Sequence, residues 1–413
     1  MKSPWPTKKL GELIEERKEK NKNNEQLQVY AISNIFGFVP SEEFFYKKVY
    51  SASLKNYKKV YKDDFAYNPA RVNVGSIGLY ENKKKGLVSP MYIVFRIKDK
   101  NQLLPRFLFR ILKSSYFIKK IRSLAASQGS IRQILKFEDL CELQIPLPPL
   151  PIQKKIVSIL DTIQSAIDIQ NKIIEKTKEL KKSIMADLFK YGGPSFRKGR
   201  KLKKTEIGEI PENWEVVKLG EVVEEISYGI SKKGGEKGNY PILRMNNIED
   251  GKIILKDLQF VKLSHEEFNK FRLKKGDVVF NRTNSLELVG KTALFELEGN
   301  FVFASYLLKI VPVSSKLLSR YLSYYFNWEP IQKKLKTLAS RGASQVNISA
   351  GRLRNFKIIL PPLSEQREIA DILQTIDQKI EIEQKKKELY EELFKTMLNK
   401  IFNQEIDIEK IKV

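Results

Sequence analysis

LPPLPIQKKIVSILDTIQSAIDIQNK (Leu147–Lys172) and LPPLSEQREIADILQTIDQKIEIEQK (Leu360–Lys385) lie 213 residues apart and agree, without a gap, at 13 of 26 positions. A match of this length marks a duplicated architectural unit, so the chain reads as two copies of one module. The likeness reaches further upstream. Trp5, Lys9, Leu10, Gly11, Glu12, Glu15 and Glu16 match Trp214, Lys218, Leu219, Gly220, Glu221, Glu224 and Glu225. Each copy therefore opens on a Trp…Lys-Leu-Gly-Glu segment and closes on a helix introduced by prolines.

The helices follow from the spacing of apolar residues. After the proline stop at Ile145–Pro151, which disfavours helix on both sides, Ile152, Ile156, Ile159, Ile163, Ala166, Ile173, Leu180, Ile184 and Leu188 recur at intervals of three and four, with Gln170 and Thr177 in the same stripe. This predicts a helix of about 55–60 Å, stopped by Tyr191-Gly192-Gly193-Pro194. The second helix is expected from about Ser364 to Phe402, with Ile369, Ile372, Ile376, Tyr390, Leu393, Met397 and Ile401 as its stripe and Lys379, Glu383 and Lys386 interrupting it. Each stripe needs a partner. In a duplicated chain the partner is the equivalent helix, which predicts an antiparallel pair with pseudo-two-fold symmetry. The packing positions are Ile152, Ile156, Ile159, Ile163, Leu180, Ile184 and Leu188 on one helix, and Ile369, Ile372, Ile376, Leu393, Met397 and Ile401 on the other. Before each helix, short β-like runs such as Val29–Ile32 and Tyr92–Ile97 alternate with Gly, Asn and Pro punctuation, so the fold class is α+β.

Composition narrows the function. Lys and Arg number 75 against 49 Asp and Glu, a formal net charge of +26, which attracts polyanions, nucleic acid above all. One cysteine, Cys141, excludes an internal disulfide, and with a single histidine it excludes a Cys/His zinc cage. No apolar run reaches the roughly 18 residues of a membrane span, and no apolar stretch follows the charged start, so a cytoplasmic protein without a secretory signal is expected.

Enzyme signatures fail one by one. His265, in LSHEEFNK, reads as a surface residue on a polar helix. Gly290-Lys291-Thr292 resembles the end of a phosphate-binding loop, but Ser285 stands where that loop needs glycine. Gly75-Ser76-Ile77-Gly78 lacks the third glycine of a dinucleotide fingerprint. Asn68-Pro69-Ala70-Arg71 is not the Asn/Asp-Pro-Pro-aromatic motif of amino-methylating enzymes. Asp63-Asp64 reads as a turn.

The residue types that read base edges and phosphates cluster instead where the two copies diverge. In the first copy these candidates for DNA contact are Asn34, Asn68, Arg71, Asn73, Ser76, Lys83, Lys84 and Lys85, with Arg132 in SQGSIRQI. In the second they are Arg244, Asn246, Asn247, Asn281, Arg282, Asn284 and Lys291, with Arg341 in SRGASQVNI. Tyr67 and Phe280 read as core.

The two proline-led helix starts (Pro146–Ile156, Leu360–Ile369), the TEIGEIPENWEVVKLGE lead-in (Thr205–Glu221) and YNPARVNVGSIG (Tyr67–Gly78) together resemble the specificity subunit of Type I restriction-modification enzymes. The resemblance implies target recognition domains at residues 1–145 and 205–359 and conserved helical spacers at 146–191 and 360–403. A basic linker would lie at 192–204 and a C-terminal tail at 404–413. It implies a non-catalytic subunit that reads a bipartite target in double-stranded DNA. Methyltransferase subunits, two copies expected, would dock on the helices, and restriction subunits with translocase and nuclease activity would join them. S-adenosylmethionine, ATP and Mg would belong to those partners, with no cofactor on this chain. The N-terminal SPWPTKKL is shorter than the second copy's lead-in, and NRTNSLELVG replaces NPARVNVGSIG. Two other readings remain at this stage: a stand-alone DNA-binding regulator, and a coiled-coil interaction scaffold without sequence preference.

Overall fold

The computed structural model describes residues 5–34, 37–45, 50–72, 75–126, 134–341 and 345–411. The chain divides into two compact units. Unit 1 comprises Met1–Lys172 with Lys385–Val413, and unit 2 comprises Ile173–Gln384.

The same antiparallel sheet forms the centre of both units. In unit 1 its strands run in the order Ile14–Glu16, Ile93–Ile97, Phe65–Tyr67, Ile77–Leu79. In unit 2 the order is Val223–Tyr228, Leu307–Pro312, Val278–Asn281, Thr292–Leu294. Phe65–Tyr67 and Ile77–Leu79 are buried on both faces, which is why they read as apolar runs rather than as alternation, and Phe65, Tyr67, Phe95, Phe280 and Leu308 are wholly inaccessible. A second sheet flanks each first one and contains a parallel pair: Val29–Ser33 with Gly86–Val88 in unit 1, and Tyr240–Leu243 with Val302–Phe303 in unit 2. A third pairing ties the Lys-Leu-Gly-Glu segment to the strand before each long helix, Thr7–Lys9 with Gln144–Pro146 and Glu215–Lys218 with Lys357–Leu360. The glycine of that motif permits close approach. A Cβ on Gly11 would lie 2.8 Å from Cys141 Cβ. Unit 2 adds a hairpin, Leu202–Thr205 with Gly208–Pro211, in the longer lead-in.

The long helices span Leu150–Tyr191 and Leu363–Phe402, 42 and 40 residues, or about 60 Å each. Prolines start both. Pro149 and Pro362 offer carbonyls to the first-turn amides of Gln153 and Gln366, and lacking an N–H of their own they leave no donor unpaired there. The repeated glutamine welds each helix to its unit. Gln153 accepts from the Leu104 amide (2.9 Å) and donates to the Gln102 and Pro148 carbonyls. Gln366 accepts from the Leu318 amide (2.8 Å) and donates to the Lys316 and Pro361 carbonyls. Gly192, at φ +82, ends the first helix by donating to the Leu188 carbonyl.

In unit 1 the first turns of one helix, with Ile156 and Leu160, share a core with the last turns of the other, with Leu398, Ile401 and Phe402. In unit 2 Met185, Leu188 and Phe189 share a core with Ile369 and Leu373. The helices are therefore antiparallel within each unit, and their ends are also packed into the globular cores. Ile152, Ile159, Ile163, Ile184, Ile372, Ile376 and Met397 are buried or half-buried. Two expected packing residues are not: Leu180 is 55% and Leu393 45% exposed. The inward side runs instead through Ile167, Gln170, Ile174 and Met185 on the first helix, and through Phe394 and Leu398 on the second. A one-residue shift turns a side chain about 100° around the axis, and the sequence carries a second apolar stripe (Ile169, Ile173, Leu180) beside the buried one. Glu383 is buried in the second helix and ion-paired with Lys379.

A buried polar lock distinguishes unit 2. Glu365 accepts both guanidinium nitrogens of Arg200 and the Trp214 indole N–H (2.8 Å). The matching residue of the first copy is Ile152. Among the described residues no helix is long and apolar enough to cross a membrane.

Candidate nucleic-acid interface

Each central sheet projects one hairpin whose strands match between the units and whose loop does not. In unit 1 Tyr67 pairs with Ile77 and the loop is Asn68–Ser76. In unit 2 Phe280 pairs with Thr292, and the segment beyond that pair is Asn281–Lys291, two residues longer. The loop bases are built alike. The Asn68 amide donates to the Ser76 carbonyl (3.2 Å) and the Asn281 amide to the Lys291 carbonyl (2.8 Å). One residue inside each base sits a glycine in the left-handed region, Gly75 (φ +83) and Gly290 (φ +90), where a side chain would be strained. The carboxylate ahead of each outgoing strand is a turn residue: Asp64 accepts from the Tyr61 amide and is ion-paired with Arg17, and Asp277 accepts from the Lys274 amide. Burial pushes both carboxyls above their usual range.

In unit 1, Asn68 is half-buried and turns the loop by accepting from the Ala70 amide (3.0 Å). Arg71 is exposed on this loop and Asn34 on the turn after Val29–Ser33. Lys83, Lys84 and Lys85 are exposed between Ile77–Leu79 and Gly86–Val88, with Lys85 paired to Glu25. Ser76 does not belong to the surface: its buried hydroxyl donates to the Ile32 carbonyl (2.9 Å). Asn73 and Arg132 lie outside the described residues.

In unit 2, Arg282 is half-buried on the face of Tyr228, with its guanidinium carbon 4.9 Å from the ring centroid. It makes only long hydrogen bonds, to the Ser305 carbonyl (3.3 Å), the Ile348 carbonyl (3.4 Å) and Asn347 Oδ1 (3.3 Å). Thr283–Asn284 pairs with Val346–Asn347, which pairs with Ser340–Arg341. In this small sheet Asn347 lies opposite Thr283 and Asn284 opposite Val346, and it includes the backbone of Arg341, whose side chain lies outside the described set. Asn246 is exposed and Lys291 half-buried. Asn247 is a framework residue rather than a contact. It is wholly buried, accepts from the Arg244 amide and donates to the Ile254 and Lys256 carbonyls. Arg244 itself is half-buried and donates to the Asp257 carbonyl (2.6 Å). Asn281 is also wholly buried, and neither side-chain polar atom has a partner. Ser76 and Asn247 are buried for one reason, that a short polar side chain beside a turn satisfies nearby backbone groups before it can reach solvent, whereas Asn281 is enclosed without such a partner.

Four residues that sequence reasoning passed over take part. Tyr228 and Asn347 flank Arg282, 54 and 65 positions away in the chain, and only the fold brings them together. Lys113, at the end of the Pro105–Lys113 helix, donates to the Asn34 (2.7 Å) and Gly75 (2.8 Å) carbonyls, and burial pushes its ammonium down to about 8. Gln332 donates to the Gly290 carbonyl (2.8 Å). Among the described residues no cluster of His, Cys, Asp or Glu is arranged to hold a metal. The geometry provides amide and guanidinium forks and exposed cations on two loops fixed at their bases, the groups that read base edges and neutralise phosphates.

The sequence profile of the Type I restriction modification DNA specificity domain matches residues 2–179 and again 211–392. The Type I restriction enzyme MjaVIII specificity subunit of Methanocaldococcus jannaschii is 32% identical over 356 residues, 82% of this chain and 78% of that protein. The putative MjaX specificity subunit of the same organism is 38% identical over 210 residues, and the match spans about half of each chain (50% and 49%). The EcoKI specificity subunit of Escherichia coli is 28% identical, over 64% of this chain and 56% of its own. Among solved structures, a chain from a study of assembly and conformational transition of the type I R-M system aligns over 97% of both chains with a TM-score of 0.59 and 20% identity. The S subunit from M. genitalium aligns over 96% of both with a TM-score of 0.54 and 15% identity. These two likenesses concern the fold.

Proposed function

This chain belongs to the Type I restriction-modification DNA specificity family, and on that premise we propose that each of its units reads one half of a split sequence in double-stranded DNA. The observation that carries the reading is the contrast within the duplication. Two units share strand order, helix starts and loop bases, yet their hairpin loops differ in length and, past the shared Asn68/Asn281, in the polar side chains they carry. A module repeated for structure and varied at one loop suits two different half-sequences. The candidates for contact are Asn34, Asn68, Arg71 and Lys83–Lys85 in unit 1, and Arg282, Asn284, Lys291 and Asn246 with Asn347 and Tyr228 in unit 2. The net charge of +26 favours phosphate neutralisation, so affinity falls steeply with salt.

The chain performs no chemistry in this reading. The antiparallel helices set the number of unread base pairs between the half-sites, as rigid connections fix half-site spacing in other DNA-binding proteins. They also carry the methyltransferase subunits. Exposed apolar side chains on the helices, Ile169, Ile173, Leu180, Ile382, Leu389 and Leu393, support docking there. S-adenosylmethionine, ATP and Mg are then bound by the methyltransferase and restriction subunits, and the methyltransferase flips the target adenine out of the stack.

Selection of duplexes by the intact chain from a random pool tests this reading. Two short conserved blocks separated by a fixed unread gap are expected, and the same pattern should surround methylated adenines in the host genome. A single block would favour a stand-alone regulator, and absence of any preference would favour a scaffold.

A further inference from the structure

The corner between two short helices touches the recognition hairpin in both units. In unit 1 the helices are Pro105–Lys113 and Ser115–Ala126, and in unit 2 Ser319–Asn327 and Glu329–Thr337. Both corners hold the carbonyl of the left-handed glycine at the loop base, but with different chemistry. The Lys113 ammonium holds Gly75 and reaches across to the carbonyl of Asn34, so one cation joins two loops that carry candidate contacts. The Gln332 carboxamide holds Gly290, and Asn327 secures the next strand by accepting from the Thr292 amide and donating to its carbonyl (2.7 Å).

We propose that these corners are positioning clamps for the two recognition hairpins, closed by a titratable ammonium in unit 1 and by a neutral amide in unit 2. The proposal rests on the reading that the hairpins contact DNA.

A backbone carbonyl held by a charged donor is bound more firmly than one held by a neutral donor, and a side-chain misplacement at a reading surface costs contact energy at every bond it breaks. Among the described residues no carboxylate pairs with Lys113, and burial alone shifts its ammonium. The charged residues of its own helix, of the next and of the loop are cations (Arg106, Arg110, Lys119, Lys120, Arg122 and Arg71), with Arg110 paired to Asp161. The long helix whose Asn399 accepts from Ser115 carries both signs, Glu391, Glu392, Lys395 and Lys400. The residues 33–37 and 72–77 carry no titratable side chain. Among the described residues the Lys113 ammonium is held by two carbonyl dipoles and lies over the Phe109 ring, 5.8 Å from the centroid. With its pKa pushed down to about 8, the clamp is charged at neutral pH and loses its proton as pH rises through that value. The folded pKa lies below that of the unfolded chain, so this group's contribution to fold stability increases between about 8 and about 10.5 while the clamp weakens. Reading by unit 1 and stability of unit 1 therefore move in opposite directions with pH. Gln332 does not titrate, and unit 2 serves as the internal control.

The test uses the full chain and the bipartite duplex it selects from a random pool, together with two derivatives, each scrambled in one half. Affinities are measured from about pH 6.5 to about 9.5, a range that brackets the titration. Discrimination of one half should fall about five- to ten-fold across this range in the unmodified protein, and the other half should hold. Lys113→Met should lose about ten-fold at that same half, independently of pH, and leave the other half unchanged. Lys113→Arg, charged throughout, should retain discrimination and flatten the profile. Gln332→Met should affect only the opposite half. Without DNA, Lys113→Met should speed amide exchange at Ser76 and Ile77. Equal pH dependence of both halves, or an effect of Lys113→Met spread over both, overturns the clamp. Should Lys113→Met fail to fold, the pH profiles of the unmodified chain and Lys113→Arg decide alone. Selection of no duplex by the unmodified chain removes the DNA reading, and the clamp with it.

Discussion

If the hairpins contact DNA as proposed, Arg282 is the side chain best placed to distinguish one base from another. Tyr228 supports its planar face, Asn347 borders its edge, and its hydrogen bonds of 3.3–3.4 Å are long enough to be exchanged for better ones. A guanidinium fork reads the two acceptors of guanine, which an ammonium cannot match. Arg282→Lys should therefore reduce discrimination at one position of one half-site by about 1–3 kcal/mol and leave the salt dependence nearly unchanged. Arg71→Ala or Lys83→Ala removes a charge from an exposed loop. If these residues contact phosphates, affinity for all sequences should drop and the salt slope should fall by about one per residue. Competition binding with single-base variants at several salt concentrations separates the two outcomes. At this scale the sequence was only partly legible. The divergence between copies singled out the two hairpin loops, but residue type alone did not distinguish Arg71 on the surface from Ser76 or Asn247 beneath it. That difference depends on which backbone groups lie within reach after folding. Tyr228 and Lys113 carried no local signal at all, because their roles arise from contacts across the fold.

The long helices were far more legible, since proline, glycine and a three–four spacing act locally and the chain repeats them. Their starts, their stops and their antiparallel pairing follow from those signals. Which side faces inward was harder. Two apolar stripes about 100° apart satisfy the same spacing, and Gln170 lies on the inward one. The choice is decided by long-range packing that periodicity does not encode. The distinction is measurable: Leu160→Ala should cost about 2–5 kcal/mol in denaturant unfolding, whereas Leu180→Ala should change stability by no more than about 0.5 kcal/mol while impairing methyltransferase binding. The repeated glutamine offers a second measurement. Gln153→Ala strands the Leu104 amide and the Gln102 and Pro148 carbonyls, and Gln366→Ala does the same to Leu318, Lys316 and Pro361. Each should cost about 1–3 kcal/mol. A loss much below that range would mean that water replaces the glutamine.

For the whole molecule the decisive relation is between helix length and the DNA it is proposed to measure. Deleting one heptad from both helices shortens them by about 10 Å, close to three base pairs at roughly 3.4 Å each. The unread gap should contract by about that number, and binding should weaken as the helical phase changes. An unchanged gap would sink the spacer role. Exchange of residues 1–145 for another recognition domain should alter one conserved block and leave the other intact. The duplication itself was plain in the sequence. The compact units were not, because each takes part of both long helices and unit 1 recruits the segment from Lys385 onward. A linear repeat records ancestry along the chain, whereas compactness records which distant segments pack together.

The hairpin loops illustrate how such a molecule can change over generations. Their bases are closed by backbone hydrogen bonds, by a glycine and by side chains from outside the loop, so the exposed loop residues, such as Arg71 and Ser285–Leu288, contribute little to folding. Mutations there are largely neutral for the fold and meet little resistance from the stability threshold that removes most core changes. Each loop can thus be rewritten while the other is inherited unchanged. The repertoire of targets open to a lineage then grows as the product of the variants at the two loops rather than as their sum.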